Sequence, residues 1–407
     1  MGNKDLAGAY ILQNKDIPLL KFDLMREKIQ VGGLEAYDYS LQIKYINQEK
    51  QALLPYSLRQ DSSPENLLQW IGKRKAPKNR QFVDKLMQTI GDDENPLAYV
   101  DISHALSLND ALWITNAAYP IAWQDFNLYH HPFNEVLAYV AFTGYSEKIS
   151  GVVTSPEYTS SGALKKCWSN RLDGIYLIKG DDFIKYSDGR SQATMEYYAA
   201  QIAEVMGFEH IPYDLEMFHH RNGEKEIVCT CKLFTSEDVG YTAAYDFFRA
   251  KGLAMKRANL ANIAVQDKMA EIYGREKYGD LMIYDALICN KDRHLGNFGY
   301  LTDNNTGAYL RPAPIFDNGF SLLYGAAKND MENLEAYIAS LSGKYMNFDT
   351  AVKLFIRPEH IPGVRKLLNF HFRKHPKYNV ANATLEKMSQ FIQLRAKRIL
   401  SLYREKE

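Results

Sequence analysis

Cys289-Asn290-Lys291-Asp292-Arg293-His294-Leu295-Gly296-Asn297-Phe298-Gly299-Tyr300-Leu301 follows directly on an apolar run, Leu281 to Cys289. The run reads as a buried helix, and Phe298 to Leu301 reads as a strand. Asp292 and Asn297 therefore stand five residues apart on the loop between them. Asp303-Asn304-Asn305-Thr306-Gly307 is a strong turn signal, and Ala308-Tyr309-Leu310 returns from it. The return leads into Pro314-Ile315-Phe316-Asp317-Asn318-Gly319. A hairpin is expected to carry the chain away from Asn297 and bring it back at Asp317. That sets Asn297 and Asp317 side by side, with Asp292 on the same loop.

This set of groups suits phosphoryl transfer. Mg²⁺ takes a few oxygen ligands and keeps several waters, so one carboxylate and one amide oxygen, Asp317 and Asn297, serve as metal ligands. A further carboxylate, Asp292, orients the acceptor hydroxyl and takes its proton, with His294 beside it. Protein kinases place their base and metal Asn at the same separation, with a later Asp beside a Gly as the second metal ligand.

Upstream pieces fit. Ile175-Tyr176-Leu177-Ile178-Lys179 is a short β-type run ending in a lysine. Lys179 is placed to neutralise the α/β phosphates of ATP, and Glu196 on the following helix to pair with it. That helix is expected over about Ala193 to Met206, with Met195, Tyr198, Ile202 and Val205 at helical spacing and Gly207 as its stop. Ala199, Ala200 and Ala203 let it pack close. Thr159-Ser160-Ser161-Gly162 is a small-residue loop whose backbone N–H groups can meet phosphate. Residues 227 to 234 read as another strand, whose end around Cys231 and Leu233 is where an adenine would meet backbone. A strand-end lysine contributes little to a core, so Lys179→Met is expected to leave the fold intact.

Composition excludes other classes. The 407 residues are 46% apolar and 24% charged, an ordinary globular balance. Lys plus Arg number 49 and Asp plus Glu 49, so a strongly basic nucleic-acid binder is disfavoured. The four cysteines form no C-x-x-C pair, and Cys229 with Cys231 lack the His or Cys partners of a zinc site. No stretch reaches the roughly 18 apolar residues of a membrane span. Met1-Gly2-Asn3-Lys4-Asp5-Leu6 lacks the regions of a signal peptide and has Leu6 where a myristoylation start wants Ser or Thr. A cytoplasmic protein is expected.

Residues 1–130 read as a separate N-terminal α/β module. Lys28 to Tyr45 suggests short strands. Ser63 begins a helix, with Pro64 in its first turn and Leu67, Leu68, Trp70 and Ile71 following. Lys73, Arg74, Lys75, Lys78 and Arg80 read as a solvated helix end rather than a nucleic-acid contact. Gly91–Pro96 is a polar break, and the apolar stretch Ala111 to Trp123 is a candidate docking segment. The character changes at Gly151-Val152-Val153. A β-rich lobe over 150–240 and a helical lobe over 241–407 are expected, which makes the fold class α+β and bilobal, with the chemistry where the lobes meet.

Three blocks resemble the HipA-like serine/threonine kinases, the bacterial toxin kinase family. Thr159-Ser160-Ser161-Gly162-Ala163-Leu164-Lys165-Lys166 resembles the family's phosphate loop, with Leu164 where Gln is common. Asn290 to Asn297 resembles its catalytic loop, and Pro314-Ile315-Phe316-Asp317 its metal-binding block. The resemblance spans roughly 150 to 405. It implies a protein-kinase-like fold, ATP with Mg²⁺, and phosphorylation of Ser or Thr in a protein substrate. It also implies autophosphorylation of the phosphate loop, with Thr159 at the matching position and Ser161 as neighbour, and an antitoxin-like regulatory partner. Direct nucleic-acid binding and membrane association are not expected. The order D-R-H-x-x-N also occurs in phosphoinositide kinases, which makes lipid the rival substrate. A pseudokinase serving as a nucleotide-binding module is the non-enzymatic alternative.

Overall fold

Strand alternation builds the first part of the molecule. The computed structural model describes residues 4–32, 34–87, 95, 97–145, 154–182, 184–256 and 259–405. The chain start, the Gly91–Pro96 break apart from Asn95, and Gly151–Val153 lie outside these. The chain forms two compact units. One comprises Met1–Leu177, Leu233–Thr242 and Leu301–Arg311, and the other Ile178–Lys232, Ala243–Tyr300 and Pro312–Glu407. The N-terminal region is rich in β-sheet and the C-terminal region is helical.

In the first unit, β1 (Asp5–Asn14), β2 (Ile17–Val31), β3 (Leu34–Ile46) and β4 (Leu112–Asn116) form an antiparallel sheet in the order β3-β2-β1-β4. Tyr10, Leu12 and Asn14 alternate inward along β1. Tyr10 lies opposite Phe22, and Leu12 opposite Leu20 and Ile114. The helix Pro64–Lys73 covers this sheet's core with Leu67, Trp70 and Ile71. Ser63 caps it by accepting from the Asn66 amide, a contact worth about 1 kcal/mol. Leu68 is 44% exposed and lies off that face.

Two expectations are corrected here. The short strands expected over 28–45 are parts of two long strands paired up to Val31 and Leu34. The solvated basic run is not solvated throughout, since Arg74 and Arg80 are both buried. Arg74 makes two 2.7 Å bonds to the Asp110 carboxylate and one of 2.6 Å to the Leu112 carbonyl. The apolar stretch 111–123 supplies β4, and its buried Trp113 and Trp123 share one cluster with Leu128 and with Ile175 of the strand Gly174–Lys179, the contact expected of a docking segment.

The first unit also holds β5 (Lys166–Arg171) and the start of β6 (Gly174–Lys179). Parts of β9 (Val239–Ala243), β10 (Gly299–Asp303) and β11 (Tyr309–Pro312) complete it, in the order β11-β10-β9. The 303–307 turn forms as its sequence implies. Asp303 accepts from the amides of Asn305 and Thr306, and Gly307 has φ +71°. A Cβ on Gly307 would come within 1.8 Å of the Ala52 carbonyl oxygen, so only glycine fits.

The second unit begins at the end of β6. The helix Gln192–Met206 starts on a reciprocal Ser191/Thr194 capping box and stops at Gly207, φ +72°. β7 (Asp214–His219) and β8 (Lys225–Lys232) form an antiparallel hairpin with Leu215 opposite Cys229. The helix Arg275–Ile288 is largely buried from Tyr278 onward, and its Tyr284 hydroxyl donates to the Ala199 carbonyl at 2.9 Å. Alanines at 199 and 203 allow that approach. Ile202, Ile288, Leu322, Phe391 and Ile399 share the core. Among the described residues no helix is long and apolar enough to cross a membrane.

Candidate active site

Lys179 is the last residue of β6 and is 7% exposed. Its ammonium lies 2.7 Å from Glu196 Oε1 and forms a second ion pair with Asp317 Oδ1. The Ser191 cap fixes where the helix begins and so places Glu196 in its second turn. Glu196 is 0% exposed, and its other oxygen accepts from the Asn318 amide at 2.7 Å. Burial alone disfavours the charged ammonium, but the Asp317 and Glu196 carboxylates outweigh it and hold Lys179 well above the usual lysine range. The lysine is therefore a fixed positive charge. Its burial is at odds with the expectation that a strand-end lysine contributes little to the core, the premise on which Lys179→Met leaves the fold intact. Its removal leaves two carboxylates facing each other without a cation.

Asp317 has φ +58°, a left-handed backbone uncommon outside glycine and asparagine. Its amide donates to the Tyr213 hydroxyl at 3.1 Å, and its carbonyl accepts from Asn290 Nδ2 at 3.5 Å. These partners and Lys179 hold the unusual turn in place.

The loop 289–297 is built by short-range hydrogen bonds around one buried guanidinium. Cys289, φ +50°, ends the helix Arg275–Ile288. Asn290 Oδ1 accepts from the Asp292 amide at 3.0 Å. Asn297 Nδ2 donates to the Asp292 carbonyl at 3.2 Å, while its Oδ1 accepts no hydrogen bond from the described residues. Arg293 is 4% exposed and pairs with Asp285 through contacts of 3.0–3.2 Å. The same guanidinium donates to the carbonyls of Asn297 (2.9 Å) and Phe316 (2.5 Å) and to Asn318 Oδ1 (2.7 Å). Arg293 thus ties the loop to the segment 316–318 that carries Asp317. The Asp292 carboxylate is half-exposed and pairs with Lys344.

His294 Nδ1 accepts from the Gly296 amide at 3.0 Å, so the ring carries its proton on Nε2. Burial lowers its pKa against the pull of Asp292. A side chain on Gly296 would come within 2.8 Å of this ring, which explains the glycine.

The structure thus joins Lys179, Glu196 and Asp317 directly, and Asp292 to Asn297 through one hydrogen bond. Cys231 lies on β8 in the same unit. Thr159, Ser160, Ser161, Gly162 and Leu233 belong to the first unit. Thr159 is buried; Ser160 Oγ donates to the Pro156 carbonyl and accepts from Trp168 Nε1; Ser161 is exposed; Gly162 has φ +92°. The Leu233 amide donates to the Ile175 carbonyl at 2.8 Å. Sequence reasoning missed Tyr213, Asn318 and Lys344. They lie 104, 122 and 52 residues from the partners they meet, and no local pattern marks them.

The donor set fits Mg·ATP. Among the described residues no group of three or more His, Cys, Asp or Glu side chains makes an all-protein metal cage. Mg²⁺ needs none, since one carboxylate and one amide oxygen suffice when phosphate and water complete its shell. Asp317 and the unspent Asn297 Oδ1 are such a pair.

No family model matches the chain, and no curated protein does. It is similar in structure to HipA in the toxin–antitoxin complex of HipA, HipB and operator DNA from Shewanella oneidensis MR-1. Identity there is 10%, the match covers 98% of this chain and 99% of that one, and the TM-score is 0.54. It also matches the Helicobacter pylori proinflammatory kinase CtkA at 18% identity, over 59% of this chain and 90% of that one, with a TM-score of 0.45. The likeness to HipA, over nearly the whole of both chains, is one of fold: the chain has the kinase-like fold of that toxin.

Proposed function

We propose that the chain is an ATP- and Mg²⁺-dependent kinase that phosphorylates serine or threonine in a protein substrate. The observation that carries this reading is the cluster of buried Lys179 and Glu196 with the partly exposed Asp317, tied by Arg293 to the loop bearing Asp292 and Asn297. Mg·ATP, when bound, would supply the phosphoryl group and a divalent cation. Asp317 and Asn297 would hold that cation. Lys179, kept charged and oriented by Glu196, binds phosphate oxygens. Asp292 orients the acceptor hydroxyl and takes its proton, a role typically worth about 10²–10⁴-fold in rate. His294 supports the loop beside it. Ser160 to Gly162 offer backbone N–H groups to the phosphates, with Thr159, whose amide donates to the Pro156 carbonyl at 3.2 Å, anchoring the start of the loop, and Cys231 and Leu233 flank the adenine.

In this reading 150–240 is the nucleotide lobe, 241–407 the helical lobe and 1–130 an added module. The likeness to HipA, whose complex contains HipB, supports an antitoxin-like partner. The four free cysteines suit a reducing cytoplasm.

The test is incubation of the purified protein with γ-labelled ATP, Mg²⁺, a cell lysate and phosphoinositide vesicles. The reading expects label in protein, as phosphoserine or phosphothreonine. Label in lipid supports the rival substrate class, and no ATP turnover supports the pseudokinase.

A further inference from the structure

The segment Ala76–Gln81 grips the loop 157–166 along its whole length, and both lie in the first unit. The Ala76 amide donates to the Tyr158 carbonyl at 2.8 Å, and the Gln81 amide to the Ala163 carbonyl at 2.9 Å. Gln81 Oε1 accepts from the Lys165 amide at 3.0 Å. Between them stands Arg80, 3% exposed. Its guanidinium donates to the carbonyls of Glu157 (3.0 Å), Ser160 (3.4 Å) and Lys166 (2.6 Å). Glu157, fully buried, accepts from Ser155 Oγ and from the Trp168 amide, and so fixes the loop's other side. Phe82, φ +62°, turns the segment, and its ring packs where a Cβ on Gly144 would come within 2.3 Å.

Such a grip does more than fill space. Three carbonyls turned onto one guanidinium fix the peptide planes of the loop. With the planes fixed, the directions of its remaining N–H groups are set as well. A loop held this way has already lost the conformational freedom that a ligand would otherwise have to remove on binding. Only a planar fork with several donors makes this contact, and a lysine ammonium does not reproduce it.

We infer that Arg80 and the segment Ala76–Gln81 are positioning elements of the nucleotide site, holding the Thr159–Lys166 loop in the shape that receives phosphate. The inference rests on the kinase reading for the loop's ligand. It gives the basic run of the N-terminal region a task in the reaction, not one of solubility or nucleic-acid contact.

The test combines hydrogen exchange with kinetics on the full chain. In the wild-type protein, Mg·ATP should slow amide exchange across 158–166. In Arg80→Lys, exchange there should rise about tenfold without nucleotide, and KM for ATP should rise about tenfold with kcat nearly unchanged, the signature of lost uniform binding. Exchange elsewhere should stay as in the wild type, which separates loop positioning from general loosening. Gln81→Ala, at a half-buried site, should raise exchange at Lys165 even if Arg80→Lys folds poorly. Wild-type protection by Mg·ATP together with unchanged loop exchange and KM in both variants overturns this inference and leaves the kinase reading standing. No protection of 158–166 by Mg·ATP in the wild-type protein refutes the loop's nucleotide role, and the inference falls with it.

Discussion

Replacing Arg293 by methionine removes the guanidinium at the centre of the loop 289–297 while keeping most of its volume. Asp285 then stays buried with no counter-charge, and the carbonyls of Asn297 and Phe316 and the Asn318 side chain lose their donor. Breaking a buried pair from one side costs about 3–5 kcal/mol. Arg293→Met should therefore lower the unfolding free energy of the second unit by that amount. All four tryptophans lie in the first unit, so far-UV circular dichroism of the helices is the signal to follow in urea.

The pH dependence has a definite sign. Burial pushes the Asp285 carboxyl up, and Arg293 opposes that push. Without Arg293 the folded-state pKa rises further above the unfolded value of about 3.9. Folding then takes up a proton, so the stability of the neutral form is full below the unfolded pKa and is lost as pH rises through the folded one. The deficit of Arg293→Met should be largest at pH 8 and narrow as pH falls. Adding Asp285→Leu should recover most of it at every pH. A deficit under about 1 kcal/mol, the scale of an exposed pair, would refute the reasoning, as would one that widens on acidification.

Lys179→Met should abolish transfer and also lower stability by about 3–5 kcal/mol in denaturant unfolding, because Glu196 is left buried without its cation; adding Glu196→Gln should restore stability but not activity. In calorimetry, Asp317→Ala should weaken binding of Mg·ATP far more than binding of metal-free nucleotide, and an equal loss for both would remove Asp317 from the metal site. Mass spectrometry after incubation with Mg·ATP should find loop phosphate on exposed Ser161 and not on buried Thr159. Phosphate on Thr159 in folded protein would contradict the burial argument.

What the sequence makes legible follows from the range of each signal. The helix start at Ser63, the stop at Gly207 and the turn at Asp303–Gly307 rest on hydrogen bonds within five residues, and all are local patterns. The strand ending in Lys179 and the apolar helix before Asn290 are runs of composition. The order Asp292, Asn297, Asp317 is visible because a hairpin with a strong turn returns the chain. Burial of long charged side chains is not visible in this way. Arg80 finds its carbonyl partners 77 to 86 residues along the chain, and Lys179 meets Asp317 after 138. A lysine or arginine next to a turn looks the same whether solvent or a distant carbonyl receives it. The length of β2 and β3 was hidden for a related reason. Beyond Arg26 the two strands extend past their pairing with β1, and Lys28 pairs with Glu35 at 2.7 Å across an exposed ribbon, so the inward alternation fades.

The most direct test of the central claim compares nucleotide binding and phosphoryl transfer in the wild-type protein and in Asp292→Asn. The carboxylate of Asp292 pairs with Lys344 and is half-exposed, so its replacement leaves the fold and the Lys179–Glu196–Asp317 cluster in place. The account predicts Mg·ATP affinity within about twofold of wild type and transfer to protein reduced by about 10²–10⁴-fold. Near-normal transfer in Asp292→Asn, or a wild-type protein that binds no Mg·ATP, contradicts it.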